Sequence, residues 1–167
     1  MSEIWWPEEY CTRYDFRCLP PYDGPPHYPY VPTLQVTDLA ALSLRPKRQH
    51  FWRVAREAAL GMWEEAGFNI EVTETMGQRG YEPGTITIDV CDTQDGTRGQ
   101  TDFGATVPNE NGWQTPWAGV CWVHFDNEWF TNYFKARDRA STVKVLGHEF
   151  GHALALGHND DPKSIMN

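Results

Sequence analysis

The sequence has fewer basic than acidic residues, which argues against a nucleic-acid-binding surface. It contains 14 Lys and Arg against 23 Asp and Glu, which gives a net charge of −9 over 167 residues. Phosphate groups are bound by clusters of Lys and Arg, so we expect neither a nucleic-acid partner nor a membrane-binding surface. The chain also lacks an apolar run near the ~20 residues of a membrane span. Its acidic N-terminus has neither the basic nor the apolar region of a secretory signal.

Cysteine is scarce as well. The chain contains Cys11, Cys18, Cys91 and Cys121 and no Cys-x-x-Cys pair, so a zinc site built from cysteine is not expected. Four cysteines can form two disulfides in three pairings. Packed thiols are an equal alternative, and the sequence therefore leaves the pairing and the cellular compartment open.

Proline is concentrated at the start of the chain, where it is interspersed with aromatic residues. Because proline fixes φ and removes a backbone donor, this composition favours an extended N-terminal arm or a pro-segment over 1–32. Residues 33–167 are long enough for one domain with its own hydrophobic core. We find no internal repeat and no low-complexity run.

Hydrophobic periodicity predicts the order β-α-β-β-β-β-α. Helices are predicted over 47–66 and 141–154, and a loop over 91–102. Strands are predicted over 33–37, 69–73, 85–90, about 103–107 and about 118–125. This order is typical of an α+β domain with a mixed sheet and helices on one side.

The first helix has a predicted apolar face and a predicted charged face. Apolar residues recur at helical spacing at Phe51, Val54, Ala55, Ala58, Met62 and Ala66. The charged residues are expected to face elsewhere, at Arg53, Arg56, Glu57, Glu64 and Glu65. Pro46 suits the first turn of this helix, and Gly67 suits its C-terminal end.

The segment that begins His148-Glu-Phe-Gly-His152 is the strongest indication of chemistry. On a helix, residues four apart differ by about 40° in direction, so His148 and His152 can bind one zinc ion from the same face. Glu149 lies where a general base can take a proton from water at the metal. His158 can join them only if the helix ends soon after His152, and Gly157 offers a place for that turn.

Three neutral imidazoles suit hydrolysis for a reason of charge. They leave the zinc ion its full positive charge and an open position for water. The same cation can polarise a substrate carbonyl. Three histidines and one carboxylate are therefore sufficient for hydrolysis of an amide without a serine or cysteine nucleophile.

These residues resemble the metzincin zinc peptidases and, within them, the matrixins. His148, Glu149, His152, His158 and Met166 match the family signature, in which a methionine turn follows the third histidine. The resemblance implies catalytic zinc on the three histidines, Glu149 as general base and acid, and Met166 beneath the metal. It also implies a mostly parallel, twisted sheet of about five strands with two long helices.

The implied function is that of a zinc-dependent endopeptidase that hydrolyses peptide bonds by zinc-activated water. Its partner would be a protein or peptide substrate, and we expect a monomer. By resemblance, an extended peptide would pair antiparallel with an edge strand near Phe103–Val107. Enzymes of this type mostly act outside cells, which suggests an extracellular or virion-associated protein. The sequence does not indicate which peptide bonds are cut.

The sequence departs from the matrixin pattern at the turn and at the end of the chain. Ala155 replaces the signature glycine, and alanine with a positive φ costs about 1–2 kcal/mol. The family usually continues beyond the position of Asn167 into a pocket wall and a C-terminal helix. We therefore expect a C-terminal subdomain that is cut short.

The residues expected to bind structural ions depart from the pattern too. Counted from Asp95-Gly96, the family's structural-zinc positions fall on Ile88, Val90 and Phe103, and only His124 is a ligand type. We therefore predict no structural zinc. Oxygen ligands for a structural calcium are available at Asp95, Asp126 and Glu128, and solvated loop carboxylates are an equal alternative.

The N-terminal arm contains a weaker match to the matrixin family. Phe16-Arg-Cys-Leu-Pro-Pro21 resembles the matrixin pro-segment, whose thiolate caps the zinc. Cys18 is thus a candidate latency thiol, although the segment has Leu19 where the family has glycine. A Cys11–Cys18 disulfide or a packed cysteine is the favoured alternative.

Two other functions remain open. One is a non-catalytic, zinc-stabilised module that binds protein or glycan. The other is an esterase or amidase that uses the same zinc on a non-peptide substrate. Glu149 argues against the module, because a structural zinc site fills its fourth position with a ligand and has no use for an adjacent carboxylate.

Overall fold

A computed structural model provides the fold. The structure describes residues 4–5, 27–28, 33–65, 68–75, 85–93, 97–103, 121–130, 139–154, 156–158 and 160–167. Two short strands, β1 (Ile4–Trp5) and β2 (His27–Tyr28), pair antiparallel. The rest of the predicted N-terminal arm, with Cys18, lies outside the described residues.

Five strands form the main sheet. They are β3 (Thr33–Asp38), β4 (Asn69–Thr73), β5 (Thr85–Cys91), β6 (Gly99–Phe103) and β7 (Cys121–Asp126). Their order in the sheet is β4-β3-β5-β7-β6. All neighbours are parallel except β6, which is antiparallel to β7 and lies at one edge.

Two long helices complete the domain. Helix α1 is Pro46–Glu65, and helix α2 is Arg139–Ala153. A single turn of 3-10 helix, Ala41–Ser43, connects β3 to α1. Proline at the first position of α1 leaves no donor unpaired, since the first amides of a helix have no acceptor within it. The structure confirms the predicted α+β fold with a mostly parallel mixed sheet and two helices.

One strand boundary was predicted wrongly. The sequence predicted a loop over 91–102 and a strand near 103–107, whereas β6 is Gly99–Phe103. The residues Gln100, Thr101 and Asp102 are polar and show no hydrophobic alternation. Backbone pairing with β7 defines this edge strand instead, and pairing is not visible in local composition.

The buried face of α1 also differs from the prediction. The buried residues are Trp52, Ala55, Arg56, Ala59, Leu60 and Trp63. Phe51, predicted to be in the core, is 46% exposed. The two tryptophans determine the orientation of the helix, because burying their large rings outweighs burying Phe51. Trp52 packs edge-on against Phe125 and Phe130, with ring centroids 5.1 and 5.2 Å apart.

The core includes residues from both helices and from the central strands of the sheet. Fully buried side chains come from β3, β5, β7, α1 and α2, and Met166 near the chain's last residue joins them. Trp63 of α1 donates a hydrogen bond from Nε1 to the carbonyl of Gly147 in α2, at 3.1 Å. The core thus fixes α2 against α1. Among the described residues, neither helix is long and apolar enough to span a membrane.

A buried ionic cluster joins α1 to the ends of β3 and β4. Arg56 was predicted to face away from the apolar side of α1 but is buried, and its Nη1 lies 2.7 Å from Asp38 Oδ2 and 2.7 Å from Glu74 Oε1. Asp38 also accepts hydrogen bonds from Trp52 Nε1 and the Ala41 amide. A buried arginine requires such partners, because an unpaired charge in the core is costly. The prediction was wrong because the sequence gives no sign that Asp38 lies beneath this helix.

We expect this cluster to make stability fall at acid pH. The guanidinium of Arg53, with that of Arg56, lowers the pKa of Glu74 from 4.5 to about 2. A carboxyl with a lowered pKa stabilises the folded state above its unfolded pKa and loses that contribution as pH falls towards its folded pKa. Glu74→Gln should therefore reduce the free energy of unfolding by roughly 1–3 kcal/mol at pH 7 and much less at pH 2.

Urea denaturation at both pH values measures this difference. The matched control is Glu65→Gln, at an exposed position near the end of α1. It should change the free energy of unfolding little at either pH. An equal loss for Glu74→Gln at pH 7 and pH 2 would show that the carboxylate charge does not stabilise the fold.

Candidate metal centre

Helix α2 carries the first two histidines of the predicted site. His148 and His152 lie one turn apart, and their Nε2 atoms are 3.1 Å from each other. The Nδ1 atom of His148 donates to the carbonyl of Ile165 at 2.8 Å, and that of His152 to the carbonyl of Leu156 at 2.7 Å. Because each Nδ1 has a carbonyl acceptor, the proton is assigned to Nδ1, and each Nε2 keeps a free lone pair.

The third histidine returns to the helix through a tight turn. Helix α2 ends at Ala153, and the amide of Leu156 donates to the carbonyl of Gly151 at 3.0 Å. This turn places His158 Nε2 at 3.0 Å from His148 Nε2 and 3.1 Å from His152 Nε2. The helix therefore ends soon after His152, which is what the approach of His158 to the other two histidines requires. Ala155, the residue expected to be strained, lies outside the described residues.

The three nitrogens fit a shared divalent ion. All three Nε2 atoms lie within 3.1 Å of one another. Those of His148 and His152 are both unprotonated and cannot hydrogen-bond to each other, so a cation between them would remove their repulsion. Tetrahedral ligands at the usual Zn–N distance are about 3.3–3.4 Å apart, close to the spacing observed. Burial lowers the pKa of His152 to about 4, and burial also lowers the pKa of His158. Both shifts favour the neutral imidazole, which is the form that binds metal.

Glu149 points from α2 towards the edge strand β6. Its side chain is 9% exposed, and Thr101 Oγ1 lies 2.8 Å from its Oε2. Burial raises the pKa of Glu149, and the hydrogen bond from Thr101 opposes that shift. An adjacent buried carboxylate of this kind can exchange protons with a water molecule near the three histidines.

Met166 packs under the helix that carries the histidines. It is fully buried, and a Cβ built on Gly151 would overlap the Met166 sulfur. The preceding carbonyl, that of Ile165, accepts the hydrogen bond from His148. The segment 164–166 therefore supports the helix just below His148 and His152.

We expect Gly151→Ala to destabilise the domain. The added methyl group would collide with Met166 and approach the Trp63 ring to 3.1 Å. Overpacking of this kind costs roughly 1–3 kcal/mol, and thermal or urea denaturation measures it. The matched control is Gly61→Ala in α1, where a Cβ meets nothing within 4 Å. That substitution should stabilise the protein by about 0.5–1 kcal/mol through helix propensity. If both substitutions or neither destabilised the protein, the close packing of Met166 against Gly151 would not be what limits this position.

The candidate calcium ligands are not brought together in the described part of the chain. Asp126 accepts hydrogen bonds from the Trp129 amide at 2.9 Å and the Thr93 hydroxyl at 3.0 Å, which lower its pKa. Glu128 is exposed, and Asp95 lies outside the described residues. Among the residues described, no group of three potential ligands includes Asp126 or Glu128. Asp126 holds the turn after β7, and the calcium site stays a prediction.

A second group of potential ligands was missed by the sequence analysis. The group consists of Asp89, Cys91 and His124, each of which offers one potential ligand atom. These three atoms lie within 4.8 Å of one another, so the group could hold a metal ion. Nδ1 of His124 contacts Asp89, and its Nε2 lies 3.4 Å from Asp102 Oδ2. The hydrogen bond to Asp89 raises the pKa of His124. Burial and nearby carboxylates raise the pKa of the Cys91 thiol.

The prediction of no structural zinc did not consider Asp89 and Cys91, and it stays a prediction. It considered Ile88 and Val90, whereas the ligand types next to His124 are one residue later in each case, on the other face of β5. The pairing of Asp89 with His124 across β5 and β7 was the missing information. The alternation of side chains along a strand places Asp89 and Cys91 on one face.

Comparisons with known proteins point to one family. The family model described as Matrixin, of the peptidase family M10, matches residues 42–167. A search of curated proteins finds no match. Among solved structures, the chain is similar to one described as the GM1-bound form of the ECX AB5 holotoxin, at 15% identity and a TM-score of 0.42. The alignment covers 80% of this chain and 55% of that chain, so this chain spans about half the length of the other. That likeness is too distant to bear on function.

Proposed function

Because the chain belongs to the matrixin family of zinc metallopeptidases, matched over residues 42–167, we propose that it is an endopeptidase that hydrolyses peptide bonds by zinc-activated water. The observation that carries this proposal is the convergence of His148, His152 and His158, whose Nε2 atoms lie 3.0–3.1 Å apart. Glu149 is adjacent in the chain and buried.

In this proposal the three histidines hold one zinc ion through Nε2. When bound, zinc supplies Lewis-acid chemistry, which makes water more acidic and polarises a carbonyl group. The carbonyls of Ile165 and Leu156 orient two of the imidazoles through their Nδ1 atoms. Met166 packs against Gly151 and supports the helix between the two ligands.

Glu149 acts as general base and then as general acid. Its carboxylate accepts a proton from the attacking water and later donates that proton to the nitrogen of the leaving amine. Two features support this role. The side chain is buried, and this burial raises the pKa of its carboxyl group. The hydroxyl of Thr101 is within hydrogen-bonding distance of one carboxylate oxygen, which restricts its orientation.

The substrate in this proposal is an extended protein or peptide segment that pairs with β6. This strand lies at the edge of the sheet and is antiparallel to β7. It also contacts α2, because Thr101 and Gly99 both meet Glu149. A peptide added to this edge would use backbone hydrogen bonds, and its scissile carbonyl would lie near Glu149.

Cleavage of an unstructured protein, such as casein, tests the proposed function. We expect cleavage by the purified protein, loss of cleavage in a chelator, and recovery when zinc is restored. A protein that binds zinc stoichiometrically but cleaves neither casein nor a generic peptide library would contradict the proposal. That result would favour a non-catalytic module, while ester hydrolysis without peptide cleavage would favour a non-peptide substrate.

A further inference from the structure

Two residues of the edge strand β6 enclose the side chain of Glu149. Thr101 Oγ1 lies 2.8 Å from Glu149 Oε2 and 2.7 Å from the main-chain oxygen of the same residue. A Cβ built on Gly99 would lie 2.8 Å from Glu149 Cγ and 2.9 Å from Val145 Cγ1. Thr101 therefore supplies a hydroxyl to Glu149, and Gly99 leaves the space in which the Glu149 side chain lies.

The Thr101 hydroxyl can hold the carboxyl group of Glu149 in one orientation. A hydroxyl carries one hydrogen and two lone pairs. It can therefore donate to Glu149 Oε2 and still accept a hydrogen bond from another donor. Because the same oxygen also lies beside the main-chain oxygen of Glu149, Thr101 contacts both the backbone and the carboxyl group of this residue.

We propose that Thr101 is a positioning residue for Glu149, holding its carboxyl group in one orientation, with Gly99 leaving the space that this orientation needs. The inference rests on the proposed function for its kinetic consequence. The placement of Glu149 by β6 depends only on the contacts of Thr101 and Gly99 with Glu149. A general base that is misplaced by a small distance can lose much of its effect, since about 1 Å can cost on the order of 100-fold in rate.

Thr101→Val and Thr101→Ser separate the hydroxyl from the shape of the side chain. Valine keeps the branched shape and removes the hydroxyl, while serine keeps the hydroxyl. We expect Thr101→Val to lower kcat for peptide cleavage by roughly 10–100-fold, with KM and zinc content unchanged. Thr101→Ser should recover most of that loss. The matched control is Thr73→Val, an exposed threonine on β4 at the opposite edge of the sheet, which should not affect kcat.

Crystal structures of the two Thr101 variants provide a readout that does not depend on activity. In Thr101→Val we expect the Glu149 carboxyl group to leave its position while the three histidines stay in place. In Thr101→Ser it should remain. An unchanged kcat or an undisplaced Glu149 in Thr101→Val overturns the inference, as does a serine variant as slow as the valine variant. If the wild-type protein cleaves no peptide but valine still displaces Glu149, the proposed function fails and the positioning role is retained.

Discussion

Glu149→Gln is expected to abolish nearly all peptide hydrolysis while the protein keeps its metal. Glutamine has almost the same shape as glutamate but cannot accept a proton from water at neutral pH. General acid–base catalysis contributes about 10²–10⁴-fold in rate, and Glu149 would serve in two proton transfers. We therefore expect kcat/KM to fall by at least roughly 1000-fold. The histidine ligands are untouched, so zinc content should be unchanged.

Two measurements are needed for this variant. Elemental analysis gives the zinc per chain, and cleavage of a peptide substrate gives kcat/KM. The matched control is Glu57→Gln, an exposed glutamate on α1 that should retain wild-type activity. Substantial activity in Glu149→Gln would mean that another group acts as the base. Loss of zinc together with activity would mean that Glu149 holds the site together rather than moving protons.

The convergence of the three histidines could be predicted from sequence for a physical reason. A spacing of four residues on a helix fixes the relative direction of His148 and His152. The sequence also required the helix to end before His158, and α2 ends at Ala153. Such local spacing rules need no knowledge of the rest of the fold. The same holds for β3, β4 and α1, whose predicted bounds lie within one residue of those observed.

What the sequence analysis missed depends on contacts between distant segments. Thr101 is far from Glu149 in the chain, and nothing in its neighbours Gln100 and Asp102 marks β6 as a strand. The charge of Arg56 predicts a position away from the apolar face of α1, because the buried carboxylate of Asp38 is known only once β3 lies against α1. Local patterns locate most of the elements in the chain, but only the assembled sheet shows β6 and which polar side chains meet.

His152→Ala is expected to remove the metal as well as the activity. His152 is half-buried and supplies the Nε2 atom that lies 3.1 Å from both other nitrogens. Without it, two neutral imidazoles remain, and the carbonyl of Leu156 loses its donor. Loss of an outer hydrogen-bond partner alone costs about 10–100-fold in metal affinity, so loss of a ligand should cost more.

The readout for His152→Ala is the difference in zinc between variant and wild type, measured by elemental analysis after dialysis. A difference of one equivalent is expected even if the group of Asp89, Cys91 and His124 also takes up metal, because that group is unchanged. Added zinc should raise the unfolding temperature of the wild type more than that of the variant, since a ligand stabilises only the state that binds it. His50→Ala, at an exposed position on α1, is the matched control and should bind zinc normally. Equal zinc content in His152→Ala and the wild type would rule out the three-histidine site.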